Sequence, residues 1–160
     1  MSQDLVGKTT IRAMRWWDIA GVHAIETNAF PRTAWTVEMF WSELAGVPET
    51  RWYALAEDED RIVGYAGLMA VGPDADIQTL AVAPAARHSG VGQRLLDELI
   101  DEAARCGCTR IFLEVAADNE AAQRLYQRNG FEVTARRGDY YAPGLDAVIM
   151  RRSLIQPVRP

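Results

Sequence analysis

The sequence predicts an α/β fold of the α+β type: a mixed, mostly antiparallel central sheet flanked by helices, in the order β-α-α-β-β-β-α-β-α-β-β. Three observations carry this. Val91, Leu95, Leu99 and Ala103 fall at i, i+4, i+8 and i+12, Leu96 and Ile100 widen the stripe, and Gln93, Arg94, Asp97, Glu98, Asp101 and Glu102 lie away from it. That is an amphipathic helix over about 90–105. Two strand-like runs, 52–56 and 61–69, are joined only by the acidic turn Glu57-Asp58-Glu59-Asp60, which makes them an antiparallel hairpin. Helices and strands do not alternate regularly, so a doubly wound nucleotide fold is excluded.

The remaining elements follow in order. Lys8 to Met14 alternates and is partly β-branched, which predicts a first strand. Asp18 is a candidate N-cap for a helix over about 19–29, with Ile19, Val22, Ile25 and Ala29 on one face and His23, Glu26 and Thr27 turned away. Pro31 ends it. Thr36 caps a short helix over 37–45, with Val37, Phe40, Trp41 and Leu44 spaced for one face. Asp76 to Val82 is a strand stopped by Pro84, and Arg110 to Val115 is a short apolar strand. Asn119 or Asp118 caps a helix that runs to about Arg128 and ends at Gly130. Residues 131–137 and 146–152 close the sheet.

At 160 residues the chain is expected to form a single domain over 1–160, with a core of about 9–153 and short ends. Its 49% apolar and 24% charged residues are ordinary for a folded globule. No apolar run approaches the ~20 residues of a membrane span, and no basic-then-apolar leader opens the chain, so the expected location is the cytoplasm. Cys106 and Cys108 match neither a disulfide framework nor a redox pair, and with His23 and His88 alone to add, no metal site is expected. A net charge of −5 disfavours nucleic acid as a partner. The charge is uneven: residues 38–78 hold nine acids against two arginines, and residues 124–160 seven arginines against three acids. These are either two solvated faces, or an acidic surface for an amine-bearing substrate and a basic one for phosphates.

Three constellations carry chemistry. Arg87-His88-Ser89-Gly90-Val91-Gly92 stands between a strand and the strongest helix. Free N–H groups at a helix start bind phosphate, and glycines let it approach the backbone. The segment lacks both the Lys-Ser/Thr of a Walker loop and the third glycine of a dinucleotide loop. Glu114, inside Ile111-Phe112-Leu113-Glu114-Val115, is either a desolvated general base or an outward-facing, paired carboxylate. Tyr126 shares the inner face of its helix with Ala122 and Leu125, as a core residue or as an acid for a leaving thiolate.

Together, Leu80-Ala81-Val82, the R-x-x-G-x-G loop, the long helix, Leu113-Glu114-Val115, the N-x₆-Y spacing and Asn129-Gly130-Phe131 resemble the GNAT superfamily of acetyl-CoA-dependent N-acetyltransferases over about residues 11–152. Asn28-Ala29-Phe30-Pro31 followed by Trp35, Asp118-Asn119, Leu125-Tyr126 and Tyr140-Tyr141 are similar to the ribosomal-protein-alanine N-acetyltransferase (RimI) family. The resemblance implies that Glu114 accepts a proton and Tyr126 donates one. It implies that Leu80, Ala81, Val82, Arg87, His88, Ser89, Gly90, Val91, Gly92, Gln93 and Asn119 hold acetyl-CoA, and that Trp35, Tyr140 and Tyr141, expected on loops, wall the substrate slot. The sequence departs from the family at Ala116, where many members carry Arg, and in the short Ala142-Pro143-Gly144 segment.

The implied reaction is direct acetyl transfer to the α-amine of a protein N-terminus, that of the alanine-ended small-subunit ribosomal protein eighteen, by a monomer or weak dimer. Two rivals remain: a related enzyme for lysine side chains or small amines, and a noncatalytic acyl-CoA-binding module.

Overall fold

The computed structural model describes residues 8–155. The N-terminal residues 1–7, on which the expectation about a leader rests, lie outside them.

Among the described residues, seven strands form one sheet in the order β1-β2-β3-β4-β5-β7-β6. They are β1 (Thr10–Ala13), β2 (Arg51–Asp58), β3 (Arg61–Val71), β4 (Asp74–Val82), β5 (Arg110–Ala116), β6 (Glu132–Ala142) and β7 (Leu145–Ser153). Among the described residues β4 and β5 alone pair in parallel, so the sheet is mixed and mostly antiparallel as the sequence predicts. Among the described residues four α-helices cover it: α1 (Ile19–Ala29), α2 (Val37–Leu44), α3 (Val91–Arg105) and α4 (Glu120–Arg128). No helix among the described residues is long and apolar enough to cross a membrane.

Two apolar cores lie on opposite faces of the sheet. On one, Leu95, Leu96, Leu99 and Ala103 of α3 pack with Ile111, Leu113 and Val115 of β5 and Tyr126 of α4. On the other, Ile19 and Val22 of α1 and Phe40 of α2 pack on Tyr53, Leu55, Tyr65 and Ala81. The α3 stripe is the predicted one. Thr36 and Asn119 cap α2 and α4 by accepting the N–H of Met39 and Ala122, each at 3.2 Å.

Several local expectations are corrected. The first strand is four residues rather than seven. Asp18 does not cap α1 with its side chain; its carboxylate accepts from Nη1 and Nη2 of the Arg12 guanidinium, each at 2.8 Å, and from the Arg15 N–H at 2.7 Å. Trp41 is 48% exposed and stacks on exposed Trp16, because one turn of α2 buries Phe40 alone. The hairpin turn is only Glu59-Asp60, both with positive φ, so Glu57 and Asp58 remain in β2. Tyr140 and Tyr141 belong to β6, not to a loop, because β6 continues to Ala142. Most seriously, Glu26 is not turned outward but is 2% exposed. Seven residues after Ile19, at 3.6 per turn, it returns to the same face of α1.

Tyr53 lies directly across from Gly67 on β3, and its ring fills the space where a side chain at Gly67 would stand. Gly67→Ala is therefore expected to cost about 1–3 kcal/mol by overpacking. A thermal melt should show Tm falling by roughly 3–10 °C. An unchanged Tm would mean that the Tyr53 ring moves freely, contrary to its hydroxyl contacts with Glu43 and Gln78 at 3.1 and 2.9 Å.

Candidate active site

β4 and β5 pair from Asp74↔Arg110 to Ile77↔Leu113 and then part, although β4 runs on to Val82 and β5 to Ala116. The cause lies one strand away. Gly67↔Thr79 and Leu68↔Ile77 are successive partners of β3 and β4, so Gln78 is an extra residue in β4. Such a bulge bends the strand and reverses which face its later side chains take. Ala75 and Ile77 pack into the α3 core, whereas Ala81 packs into the α1–α2 core. A cavity of about 950 Å³ opens where the strands separate.

Backbone groups of β4 face this gap. Ala83 donates its N–H to Val63 of β3 at 2.8 Å. Strand alternation therefore turns Ala81 toward β3 as well, and aims the N–H and C=O of Leu80 and Val82 into the gap. The Val82 carbonyl accepts from Arg87 Nε at 3.3 Å.

The glycine loop borders the same cavity. Gly90, at φ +87°, is the N-cap of α3, and the free N–H groups of the first turn follow it. Gly92 lines the cavity; a Cβ there would meet Leu125 Cδ2 and Val82 Cγ2 only at 3.6 Å, an ordinary contact. Arg87 and His88 are exposed and line it too. Ser89 and Val91 are buried, Ser89 donating its hydroxyl to the Ala86 carbonyl and Val91 packing in the core, so only their backbones can serve a ligand. The Gln93 side chain exchanges hydrogen bonds with Asn129 at 2.7 and 2.9 Å. Asn119 lines the cavity with its carbonyl oxygen spent on capping α4 and its amide N–H₂ uncommitted.

Glu114 and Tyr126 both line the cavity, from opposite faces of the sheet. Ile111, Leu113 and Val115 fill the α3 core, which puts Glu114 on the α1–α2 face. Its carboxylate is solvent-accessible, 31% exposed, and pairs with Arg137 Nη1 at 3.4 Å. Of the two alternatives, the outward, paired one thus describes it and the desolvated one does not: β5 lies under helices on one face and open on the other. Asp76, on the same face of β4, is pushed up by burial and by the like charges of Asp74 and Glu114. Tyr126 is 6% exposed on the α3 side, edge-on to Phe131 with ring centres 5.7 Å apart. Burial, with a smaller contribution from Tyr141, holds its phenol well above the usual range, and it makes no hydrogen bond to another described residue.

On the α1–α2 side stand Trp35 and Tyr141, both lining the cavity. Trp35 packs on Phe40 at 5.3 Å, and the Tyr141 phenol is pushed up to about 12, first by burial and then by Glu114 and Tyr140. Tyr140 lies outside the cavity lining, half exposed, beside the Arg137 guanidinium; a hydrogen bond to Glu114 is the main cause of its raised phenol. Glu26 also lines this side, and sequence reasoning missed it. Its two oxygens accept the Trp35 N–H at 3.2 Å and the Thr79 hydroxyl at 3.4 Å. Burial raises this carboxyl, and those two hydrogen bonds pull it partly back.

An acyl-CoA fits this arrangement. The first-turn N–H groups of α3 and bare Gly92 suit a pyrophosphate, and the Leu80 and Val82 N–H groups suit a polarised carbonyl. Residues 17–131 match the family model described as Acetyltransferase (GNAT) family. The chain is 40% identical over 128 residues to the N-alpha-acetyltransferase RimI of Mycobacterium tuberculosis, covering 77% of this chain and 78% of that one. An uncharacterized Mycobacterium leprae protein is 44% identical over 123 residues; the match takes 74% of this chain but spans only 33% of that relative's length. The crystal structure of the Escherichia coli ribosomal-protein-S18-alanine N-acetyltransferase superposes with a TM-score of 0.82 at 28% identity, over 93% of this chain and 96% of that one. An acetyltransferase from Salmonella typhimurium, solved with its cofactor acetyl-CoA, gives 0.79 at 25% identity, over 96% and 98%. With its split parallel strands, its glycine-led helix and its match over residues 17–131, the chain belongs to the GNAT family of acetyltransferases.

Proposed function

We propose that this enzyme acetylates the N-terminal α-amine of a protein, with the alanine-ended ribosomal protein S18 as the expected acceptor. One observation carries the reading: the gap between β4 and β5 is open to both faces of the sheet, with Glu114 on one and Tyr126 on the other. An acyl donor lying along α3 and an amine entering past Trp35 would meet there without an acyl-enzyme. The N-alpha-acetyltransferase of Mycobacterium tuberculosis supports the choice of an α-amine, and the S18-alanine N-acetyltransferase of Escherichia coli the choice of acceptor.

Acetyl-CoA supplies an activated acetyl thioester. The chain's own groups do the rest. The amine must be neutral to attack, and an α-amine of pKa about 7.7–8.0 is partly neutral near pH 7.5, unlike a lysine near 10.4. Glu114, steadied by Arg137, takes the proton released on attack, directly or through water. The cleft-facing N–H groups of Leu80 and Val82 stabilise the negative oxygen that develops on the carbonyl. Tyr126 then gives its proton to the departing thiolate. Glu114 in the cavity lining and Asp76, close enough to feel its charge, suit a cationic peptide tail. A cytoplasmic location accords with such an acceptor.

The test is a peptide panel. An Ala-ended, Arg-rich peptide should be acetylated fastest, and the same peptide starting with Trp or Ile roughly tenfold slower or worse, since the slot excludes bulk. Rates should fall with salt, as screening over about 10 Å at roughly 0.1 M weakens the tail attraction. Blocking the α-amine while leaving lysines free should abolish the reaction. Equal rates for blocked and free peptides would transfer the assignment to a lysine acetyltransferase.

A further inference from the structure

The unexplained group in the cavity is Glu26. It lies on α1, 2% exposed, and no Lys or Arg pairs with it among the described residues. Burying a carboxyl without a cation is costly, and a leucine would pack on the same face of α1 without that penalty. The two groups that accompany it come from separate parts of the site. The Trp35 N–H belongs to the loop between α1 and α2 that walls the acceptor side. The Thr79 hydroxyl belongs to β4, next to Leu80, whose N–H faces the gap. Thr79 points toward α1 only because the extra residue Gln78 reverses the faces of β4 beyond it. The bulge that opens the gap therefore also delivers the second donor, the Thr79 hydroxyl, to Glu26.

We propose that Glu26 is the positioning residue of the acceptor slot: its carboxylate clamps the Trp35 loop to β4 at Thr79 and so fixes the distance between the slot wall and the strand that carries the acyl-polarising N–H groups. A carboxylate suits this because it offers two acceptor oxygens in one plane, and bonds to a charged acceptor are stronger than neutral ones. Without the clamp, the Trp35 end of the loop keeps its packing on Phe40, and the Arg32–Asp118 ion pair at 3.8 Å, between two exposed side chains, does not tie it to β4. Glu26 acts through Trp35, not on the reacting atoms, so its loss should weaken acceptor binding and leave the acyl-donor side unchanged.

This inference rests on the acetyl-transfer reading for its kinetic consequence and on structure alone for its mechanical one, so two measurements separate them. The first is amide hydrogen exchange of the free protein. In Glu26→Ala, exchange across residues 30–36 should quicken about fivefold to tenfold, the loss of one or two hydrogen bonds, while the first turn of α3 is unaffected. The second is steady-state kinetics with the Ala-ended peptide. The peptide KM should rise by a similar factor, with kcat and the acetyl-CoA KM within about twofold of wild type. Glu26→Gln should recover most of both, because its amide oxygen still accepts the Trp35 N–H and its N–H₂ can donate to the Thr79 oxygen. Thr79→Val, which removes the other half of the clamp, should reproduce part of the Glu26→Ala effect and keeps the test sound if that variant fails to fold. Unaltered exchange at 30–36 in Thr79→Val and in any folded Glu26→Ala would overturn the proposal and leave Glu26 a packing residue. Glu26→Gln losing as much peptide affinity as Glu26→Ala, with normal exchange, would overturn it in favour of direct pairing with the substrate cation. If the wild-type protein ignores the peptide but exchange quickens as expected, the acceptor assignment fails and the clamp stands.

Discussion

Tyr126→Phe should lower kcat by about 10²-fold, the usual share of a positioned general acid, with almost no change in stability. The phenylalanine ring keeps the edge-on contact with Phe131 and the burial in the α3 core. Removing the hydroxyl breaks no hydrogen bond within the described protein, so a thermal melt should move by no more than about 2 °C. The raised phenol is compatible with proton donation, because the same apolar surroundings raise the pKa of a departing thiolate and keep acid and base matched. Both acetyl-CoA and peptide KM should stay near wild type, since the proton moves only as the thiolate leaves. Normal turnover per folded molecule would return Tyr126 to the role of a core tyrosine and leave the thiolate to be protonated by water.

The elements that built this site were unevenly legible. The α3 stripe was plain because the polar pairs Gln93-Arg94, Asp97-Glu98 and Asp101-Glu102 separate the apolar positions at helical spacing, and Gly90 and Gly92 mark where the helix starts. Caps at Thr36 and Asn119 were legible because a short polar side chain before an apolar-periodic run has a local reason to be there. The Gln78 bulge was not. Its sequence, Ile77-Gln78-Thr79, alternates like any strand, and the extra residue exists only relative to the register of β3. Yet that bulge accounts for the parting of β4 from β5.

The two glutamates show the same limit from opposite sides. Glu114, set among Ile111, Leu113 and Val115, reads in sequence either as desolvated or as outward and paired, and only the structure decides, because a strand has two faces and one of them is open. Glu26 was expected away from the apolar face, although the seven-residue return from Ile19 places it on the buried face of α1. Tyr140 and Tyr141 were expected on a loop because Pro143 and Gly144 punctuate the segment; the turn is confined to those two residues, and β6 carries the tyrosines on its ordered end.

Gly92→Asp should separate binding from folding most sharply. The position is the second residue of α3, where the first-turn N–H groups are unpaired and the helix end carries partial positive charge. A carboxylate there favours the helix by about 0.3–1 kcal/mol, and Asp is a slightly better helix residue than Gly, so Tm should hold or rise. The first side-chain atom has room, with Leu125 Cδ2 and Val82 Cγ2 at 3.6 Å, and the rest must extend into the cavity that Gly92 lines. That is where a coenzyme A pyrophosphate would take the same N–H groups. Two negative charges about 5 Å apart at an effective dielectric of about 20 repel by roughly 3 kcal/mol, equivalent to on the order of 10²-fold in affinity. Calorimetry should therefore show a loss of that size for acetyl-CoA, in a protein at least as stable as wild type. Gly92→Ala adds bulk without charge and should lose only a few-fold, which distinguishes repulsion from closer steric exclusion. Near-wild-type acetyl-CoA binding by Gly92→Asp would remove the phosphate from the start of α3, and with it the direction from which the acyl donor enters the gap between β4 and β5.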